Sequence, residues 1–151
     1  MKSYVLLENL RSAHNVGSIF RSADGAGVTG VFLIGCTPAP VDRFGRVQPE
    51  IQKTSLGAAD TVPWEQTASV SECIQKLRSE GVQIIVVEQD RRAVPFHAFK
   101  PSERRAYIFG NEVDGVSKEA REEADEIIHI PMHGSKESLN VAVSAGIILF
   151  H

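Results

Sequence analysis

The last stretch of the chain, Ser138 to His151, has no polar face. Leu139, Val141, Ala142, Val143, Ala145, Ile147, Ile148, Leu149 and Phe150 point in nearly every direction when wound into a helix. A helix that is apolar all round must be covered all round. At the end of a chain of 151 residues, three arrangements meet that demand. The helix is tucked into the fold, packed against a second copy of the chain, or both. Whatever precedes it must reserve an interior or an interface for this terminus.

What precedes it alternates strand-like apolar runs with helical patterns, the signature of an α/β domain with a mostly parallel sheet flanked by helices. Tyr4 to Leu7 reads as the first strand. Val16, Ile19, Phe20 and Ala23 keep the i, i+3, i+4, i+7 spacing of one buried helical face. Asn15 is placed to cap that helix, and Gly25 or Gly27 to end it. Val31 to Ile34 is a second strand. The stretch from Gly35 to Ala59 is rich in Pro and Gly and keeps no period, so it reads as one long functional loop. Val62 to Trp64 makes a short strand. Val70, Ile74 and Leu77 mark a helix closed by Gly81, and Val82 to Val87 reads as a strand covered on both faces. Arg105 to Phe109 and Ile127 to Ile130 are the remaining strands, with a short helix capped by Ser117 between them. No repeat, linker or low-complexity tract divides the chain, so residues 1–151 are expected to form one domain without extensions.

Composition excludes several classes. No run approaches the roughly 20 apolar residues that span a bilayer. Glu8 interrupts the N-terminal apolar run, as no signal peptide allows, so a cytoplasmic protein without membrane partners is expected. Cys36 and Cys73 lack metal-ligand spacing, as do the histidines His14, His97, His129, His133 and His151, which predicts no metal. His129 reads as a structural residue within its strand. The formal net charge is −3, the opposite of the basic excess that phosphate binding favours. Basic residues are nevertheless clustered in Arg91-Arg92, in Arg104-Arg105 and in the segment from Arg43 to Lys53.

In an open α/β sheet, ligands sit beyond the carboxyl ends of the strands. Two strands here run into glycine-containing polar loops, Gly110 to Gly115 and Pro131 to Gly134, which join the loop after Val87 to line a cleft. Gly110 to Ser117 has P-loop spacing, but Val116 stands where the phosphate-binding lysine belongs. The dinucleotide fingerprint is also absent between the first strand and its helix. A ligand without a polyphosphate, held by backbone and apolar contacts, fits best, and an adenosyl group on a sulfonium meets that description. Taken singly, Asn15, Arg21, Glu112, Ser138 and Asn140 each have a bland explanation as a cap, a loop polar group or a solvated side chain.

Three blocks in order resemble the SpoU (TrmH-like) family of the SPOUT superfamily of RNA methyltransferases. They are Asn15-Val16-Gly17-Ser18-Ile19-Phe20-Arg21, the segment Ile108 to Ser117 with its Gly-Asn-Glu, and the segment Ile130 to Ala142 with its Ile-Pro-Met and Ser-Leu-Asn-Val. Lys53 to Ala59 resembles a fourth family segment. The resemblance implies a deep C-terminal trefoil knot, a homodimer and S-adenosylmethionine as cofactor. It places the cofactor among Val87, Glu88, Gln89, Gly110, Asn111, Ile130 and Met132, with Leu139 closing over the adenosine. The implied reaction is methyl transfer to an RNA ribose 2′-hydroxyl, with Arg21 the central catalytic residue and Asn15, Glu112, Ser138 and Asn140 around the reacting centre. A guanidinium is almost never deprotonated in a protein, so Arg21 is expected to clamp phosphate and alkoxide. The RNA is expected to be tRNA, which a minimal dimer can grip without extra domains. Ribosomal RNA is one alternative, and a non-catalytic RNA-binding protein on the same fold is another. The last would lose Arg21 or the Ser138 and Asn140 pair, and all three are present.

Overall fold

The apolar runs form seven strands in a computed structural model that describes residues 1–151. They are β1 (Lys2–Glu8), β2 (Gly30–Ile34), β3 (Trp64–Thr67), β4 (Gln83–Val87), β5 (Val94–Pro95), β6 (Arg104–Phe109) and β7 (Glu126–His129). They lie in one sheet in the order β3-β2-β1-β6-β4-β7-β5, and every pairing is parallel. The period of two then divides each interior strand between two cores. Val5, Leu7, Val31, Leu33, Ile85, Tyr107 and Phe109 face one side. Leu6, Phe32, Ile34, Ile84, Val86, Ala106 and Ile108 face the other. This is why these strands read as continuous apolar runs. Leu6 and Ile84 are fully buried, and such side chains contribute roughly 1.5–3 kcal/mol each.

The helices divide unequally. On the first face lie α1 (Ala13–Gly25), α2 (Pro49–Ser55), α3 (Ala58–Thr61) and α6 (Val141–Leu149); the second face carries α4 (Val70–Ser79) and α5 (Lys118–Glu123). Val16, Ile19, Phe20 and Ala23 of α1 are buried as their spacing predicts. Ser117 caps α5 as expected, accepting from the Ala120 N–H at 3.2 Å. Burial pushes the Cys73 thiol of α4 up to about 12, whereas Cys36 is exposed. No helix is long and apolar enough to cross a membrane.

Several expectations need correction. Ser12, not Asn15, caps α1: its hydroxyl accepts from the Asn15 N–H at 3.1 Å. Asn15 lies one turn inside, with its side chain free for other partners. The segment from Gly35 to Ala59 is not one loop. It contains α2, begun by a proline at its first turn, and the start of α3. Only Ile51 and Ser55 of α2 are buried, too few for a period to show. Gly17 is what lets α2 approach α1, because a Cβ there would collide with Thr54 and lie 2.8 Å from the Ile51 carbonyl oxygen. The strand expected at Val62 to Trp64 begins at Trp64, and β5 arises in what reads as a loop. Asn140, not Ser138, caps α6, accepting from the Ala142 and Val143 N–H groups at 2.8 and 3.3 Å. Within the single chain α6 is covered on one side only. Ala145 and Ile148 are buried, whereas Val143 is 50 % exposed and Phe150, just past the helix, 62 %.

Candidate active site

At the carboxyl edge of β4, β6 and β7, three loops enclose a cleft of about 390 Å³, within the size range of small-molecule sites. The chain moves outward from β1 to β2 and β3, then crosses to the other half of the sheet, and the cleft lies over strands β6, β4 and β7 of that half. The eight residues expected around a cofactor all line it. Val87, Glu88 and Gln89 follow β4; Gly110 and Asn111 follow β6; Ile130 and Met132 follow β7; Leu139 lies before α6. Glu112, Ser138 and Asn140 line it too.

Side chains in this region mostly hold main chain. The Asn111 amide oxygen accepts from the N–H groups of Val113 (2.7 Å) and Asp114 (3.0 Å), and its nitrogen donates to the Asn9 carbonyl at 2.7 Å. Glu88 accepts from the Val116 N–H at 2.8 Å. Buried Glu8, at the end of β1, accepts from the N–H and hydroxyl of Ser117 at 2.8 and 2.7 Å. Gly110 has no room for a Cβ, which would collide with the main chain of Gly115 and Val116. The loop from Gly110 to Ser117 is therefore fixed before any ligand arrives, the condition under which main-chain groups bind well.

Glu112 joins this loop to the opening of α1. Its carboxylate accepts from the N–H groups of Arg11 (3.2 Å) and Ser12 (3.3 Å) and from the Asn15 side-chain amide (3.4 Å). Asn140 in turn donates to the Asn15 amide oxygen at 3.2 Å. Asn15, Glu112 and Asn140, distant in sequence, thus form one chain of contacts at the lip of the cleft. Burial pushes the Glu112 carboxyl up. Its own N–H, those of Arg11 and Ser12 and the Asn15 amide together outweigh that and hold it below the ordinary value. Glu112 is therefore an ionised acceptor that positions the others, and a weak base.

Arg21 stands apart. It is exposed on α1 beside a shallow hollow shared with Ser18, Ser22, Gly25, Thr54 and Phe150, and it does not line the cleft. The six-position step from Asn15 to Arg21 turns the helix through about 600°, which sends the two side chains to different faces. Within one chain, then, four of the five expected catalytic residues gather and the fifth does not.

Three residues in or next to the cleft were given no site role from sequence. His129, at the end of β7, lines the cleft and lies 3.2 Å through Nδ1 from the Gln89 amide oxygen. Gln89 donates its nitrogen to the Ile130 carbonyl at 2.9 Å, so Nδ1 is the donor to its oxygen. Arg121 of α5 is the one permanent cation lining the cleft, and it reaches Asp90 at 3.4 Å. A side-chain hydrogen bond from Arg92, first of all, draws Asp90 down to about 2. Glu8 is the third. A carboxylate ending an apolar strand is a signal for it, because that position faces the ligand edge of a parallel sheet.

Comparison with known proteins points the same way. The model of the SpoU rRNA Methylase family matches residues 2–150. The 23S rRNA (guanosine-2′-O-)-methyltransferase RlmB of Neisseria meningitidis serogroup B is 33 % identical over 145 residues, which cover 96 % of this chain and 55 % of that protein. Among solved structures, the AdoMet-bound rRNA methyltransferase of Sinorhizobium meliloti superposes with a TM-score of 0.88 at 31 % identity, covering 99 % of this chain and 54 % of that one. The A. aeolicus TrmH/SpoU tRNA modifying enzyme gives 0.86 at 28 % identity, covering 99 % and 72 %. The chain spans about half the length of the curated relatives it matches.

Proposed function

The chain belongs to the SpoU rRNA Methylase family, and from that premise we propose that it transfers a methyl group from S-adenosylmethionine to a ribose 2′-hydroxyl of RNA. The observation that carries this reading is the preformed cleft, whose lining fits the cofactor. Val87, Ile130, Met132 and Leu139 offer apolar contact to an adenosine, and Glu88, Glu112 and Asp114 offer negative charge to a sulfonium and an ammonium. No lysine stands among the lining residues to bind a polyphosphate. Bound there, the cofactor supplies an electrophilic methyl group.

The chain's own residues supply the rest. Asn15, held by Glu112, and Asn140, which donates to Asn15, orient the hydroxyl, and Ser138 lies in the same lip. Arg21 steadies the phosphate and the developing alkoxide, a task for a fork of donors that stays charged. Because Arg21 faces away from its own cleft, it serves the cleft of a second copy, and the working unit is a homodimer. Two features support that: the apolar side of α6 left open in the single chain, and Phe150, which borders the hollow beside Arg21. The reading includes the deep trefoil knot, supported by the family match through residue 150. It also includes a cytoplasmic site of action and residues 1–151 as one catalytic unit.

For the substrate, ribosomal RNA replaces tRNA as the favoured class. The relatives from N. meningitidis and S. meliloti are named as rRNA methyltransferases, whereas the A. aeolicus tRNA modifying enzyme is less similar in sequence. Calorimetry tests the cofactor: S-adenosylmethionine binds and ATP does not. Mapping ribose methylation in total RNA from a deletion strain tests the substrate, with a missing 2′-O-methyl group in ribosomal RNA as the expected result. Binding of ATP in place of S-adenosylmethionine would sink the reading.

A further inference from the structure

The cleft accounts for a cofactor but leaves open how a chain of net charge −3 holds an anionic substrate. The basic segment that begins at Arg43 bears on this, because the structure turns it into a built feature. Between β2 and α2 the chain forms a small hairpin, closed by a bridge between Val41 and Val47. Asp42 is its hub. Its carboxylate accepts from the N–H groups of Phe44 (2.8 Å) and Arg46 (3.0 Å) and from the Arg46 guanidinium (2.9 Å), while its own N–H donates to the Arg46 carbonyl at 2.9 Å. These bonds fix the backbone at the tip.

What the tip presents is an aromatic ring in water. Phe44 is 67 % exposed, and its company is cationic. The Arg43 guanidinium carbon lies 4.8 Å from the ring centroid and that of Arg46 lies 5.1 Å away. Arg46 is held by Asp42, whereas Arg43 makes no hydrogen bond or ion pair and is free to move. A rigid loop that holds an exposed ring beside two guanidiniums suits a ligand with a flat face and a negative backbone. Unpaired nucleotides have both, and they bind proteins by stacking on aromatic rings and on guanidinium planes.

The placement agrees. All strands are parallel, so the hairpin leaves the sheet at the same carboxyl edge as the cleft. Only β1 separates β2 from β6, a spacing of roughly 10 Å between strands flanking one another but one. We infer that the hairpin from Asp42 to Arg46 is a stacking platform for an unpaired base of the RNA substrate, Phe44 supplying the ring and Arg43 and Arg46 the positive charge. This rests on the RNA methyltransferase reading and adds to it a second point of grip outside the catalytic centre.

The test uses a labelled single-stranded RNA oligonucleotide of mixed sequence and a blunt duplex of the same sequence, with binding followed by anisotropy. Phe44→Leu weakens single-strand binding about tenfold, the usual scale for one lost stacking ring, and leaves duplex binding as it was. Phe44→Tyr restores it. Arg43→Gln lowers the slope of log affinity against log salt by about 0.7, one phosphate contact on a single strand. In turnover on ribosomal RNA, Phe44→Leu raises KM and spares kcat. The S-adenosylmethionine affinity and the urea midpoint stay where they were, because the side chain is exposed. Unchanged single-strand binding in Phe44→Leu overturns the proposal, and so does equal weakening on the duplex. A change in sedimentation in that variant assigns the ring to a protein contact and overturns it as well. A wild-type protein that methylates no RNA overturns the underlying reading; active wild type with an unchanged KM in Phe44→Leu overturns the platform alone.

Discussion

The cleft between β4, β6 and β7 and the surface around Arg21 lie on the same small domain but are built in opposite ways. In the cleft, polar side chains are spent on the protein's own backbone. Glu88 and Glu112 in the lining, and Glu8 behind it, accept from main-chain N–H groups of a neighbouring loop or helix start, while Asn111 accepts from those of its own loop, and the lining is rigid before a ligand arrives. Arg21 itself is not spent in this way. The guanidinium makes no contact of this kind, and Val143, Ile147 and Phe150 lie open to solvent. A finished site needs no partner to hold its shape, whereas an idle cation beside an open apolar strip has work only when another surface arrives. On the function proposed above, the molecule pairs one half-site complete in a single chain with another that acts on something outside it.

Gly110→Ala gives the largest effect expected on this contrast. The added methyl group collides with the main chain of Gly115 and Val116, so the loop after β6 must move. Overpacking of this kind costs about 1–3 kcal/mol. S-adenosylmethionine binding should vanish in calorimetry while the protein still sediments as wild type does. Retained affinity would mean that the cleft adapts, and the contrast with the Arg21 surface would collapse.

Arg21→Lys should lower kcat about a hundredfold, the scale of one lost oriented donor, with S-adenosylmethionine affinity unchanged. Mixing sharpens the point. Arg21→Ala and Gly110→Ala, each inactive alone, should recover about a quarter of wild-type activity when mixed and reassembled. Half of the dimers are then mixed, and each of those carries one intact pairing of cleft and arginine across a two-fold interface. Silence in the mixture, with mixed dimers demonstrated, would place Arg21 at its own cleft.

Ile147→Glu comes next. It sets a charge on the open side of α6, where exposed apolar area of this sort marks an interaction surface. The proposed dimer should dissociate at least tenfold more readily in sedimentation, since an unpaired charge in an apolar interface costs about 1.4 kcal/mol or more. Activity should return at high protein concentration. A variant that remains monomeric and fully active would remove the reason for reading the two half-sites together.

Much of this contrast is legible in the sequence, and unequally. The parallel sheet reads well because strands covered on both faces leave apolar runs, as Ile84 to Val86 and Ala106 to Phe109 do. The blocks around Gly110 and Ile130 mark their loops because each follows such a strand. Asn15 reads as a cap because cap and first-turn residues share polar types, and only geometry shows Ser12 in that position. The helix α2 stays hidden, since seven residues with one buried apolar side chain carry no period. Glu8 and Arg121 are missed because contacts between segments distant in the chain, Glu8 to Ser117 and Arg121 to Asp90, leave no local pattern. The open side of α6 is half foreseen: composition says that the helix needs cover, and only the fold says which side lacks it.

The smallest effect concerns Glu112, which joins the two regions by holding Asn15 of α1 to the loop after β6. Its folded-state pKa lies below the ordinary value of 4.5. A carboxyl lowered in this way stabilises the folded chain fully above its unfolded pKa, and that contribution is lost as pH falls through the folded value. The side chain is partly open to solvent, so screening limits the contribution to about half a kcal/mol. Urea midpoints should accordingly place wild type slightly above Glu112→Gln near neutral pH, and the gap should close as the pH drops below 4.5. Were the gap to widen on acidification, the ionised carboxylate would be a burden and not a tether. The link between the finished half-site and α1 would then have to run through Asn140 and Asn15 alone.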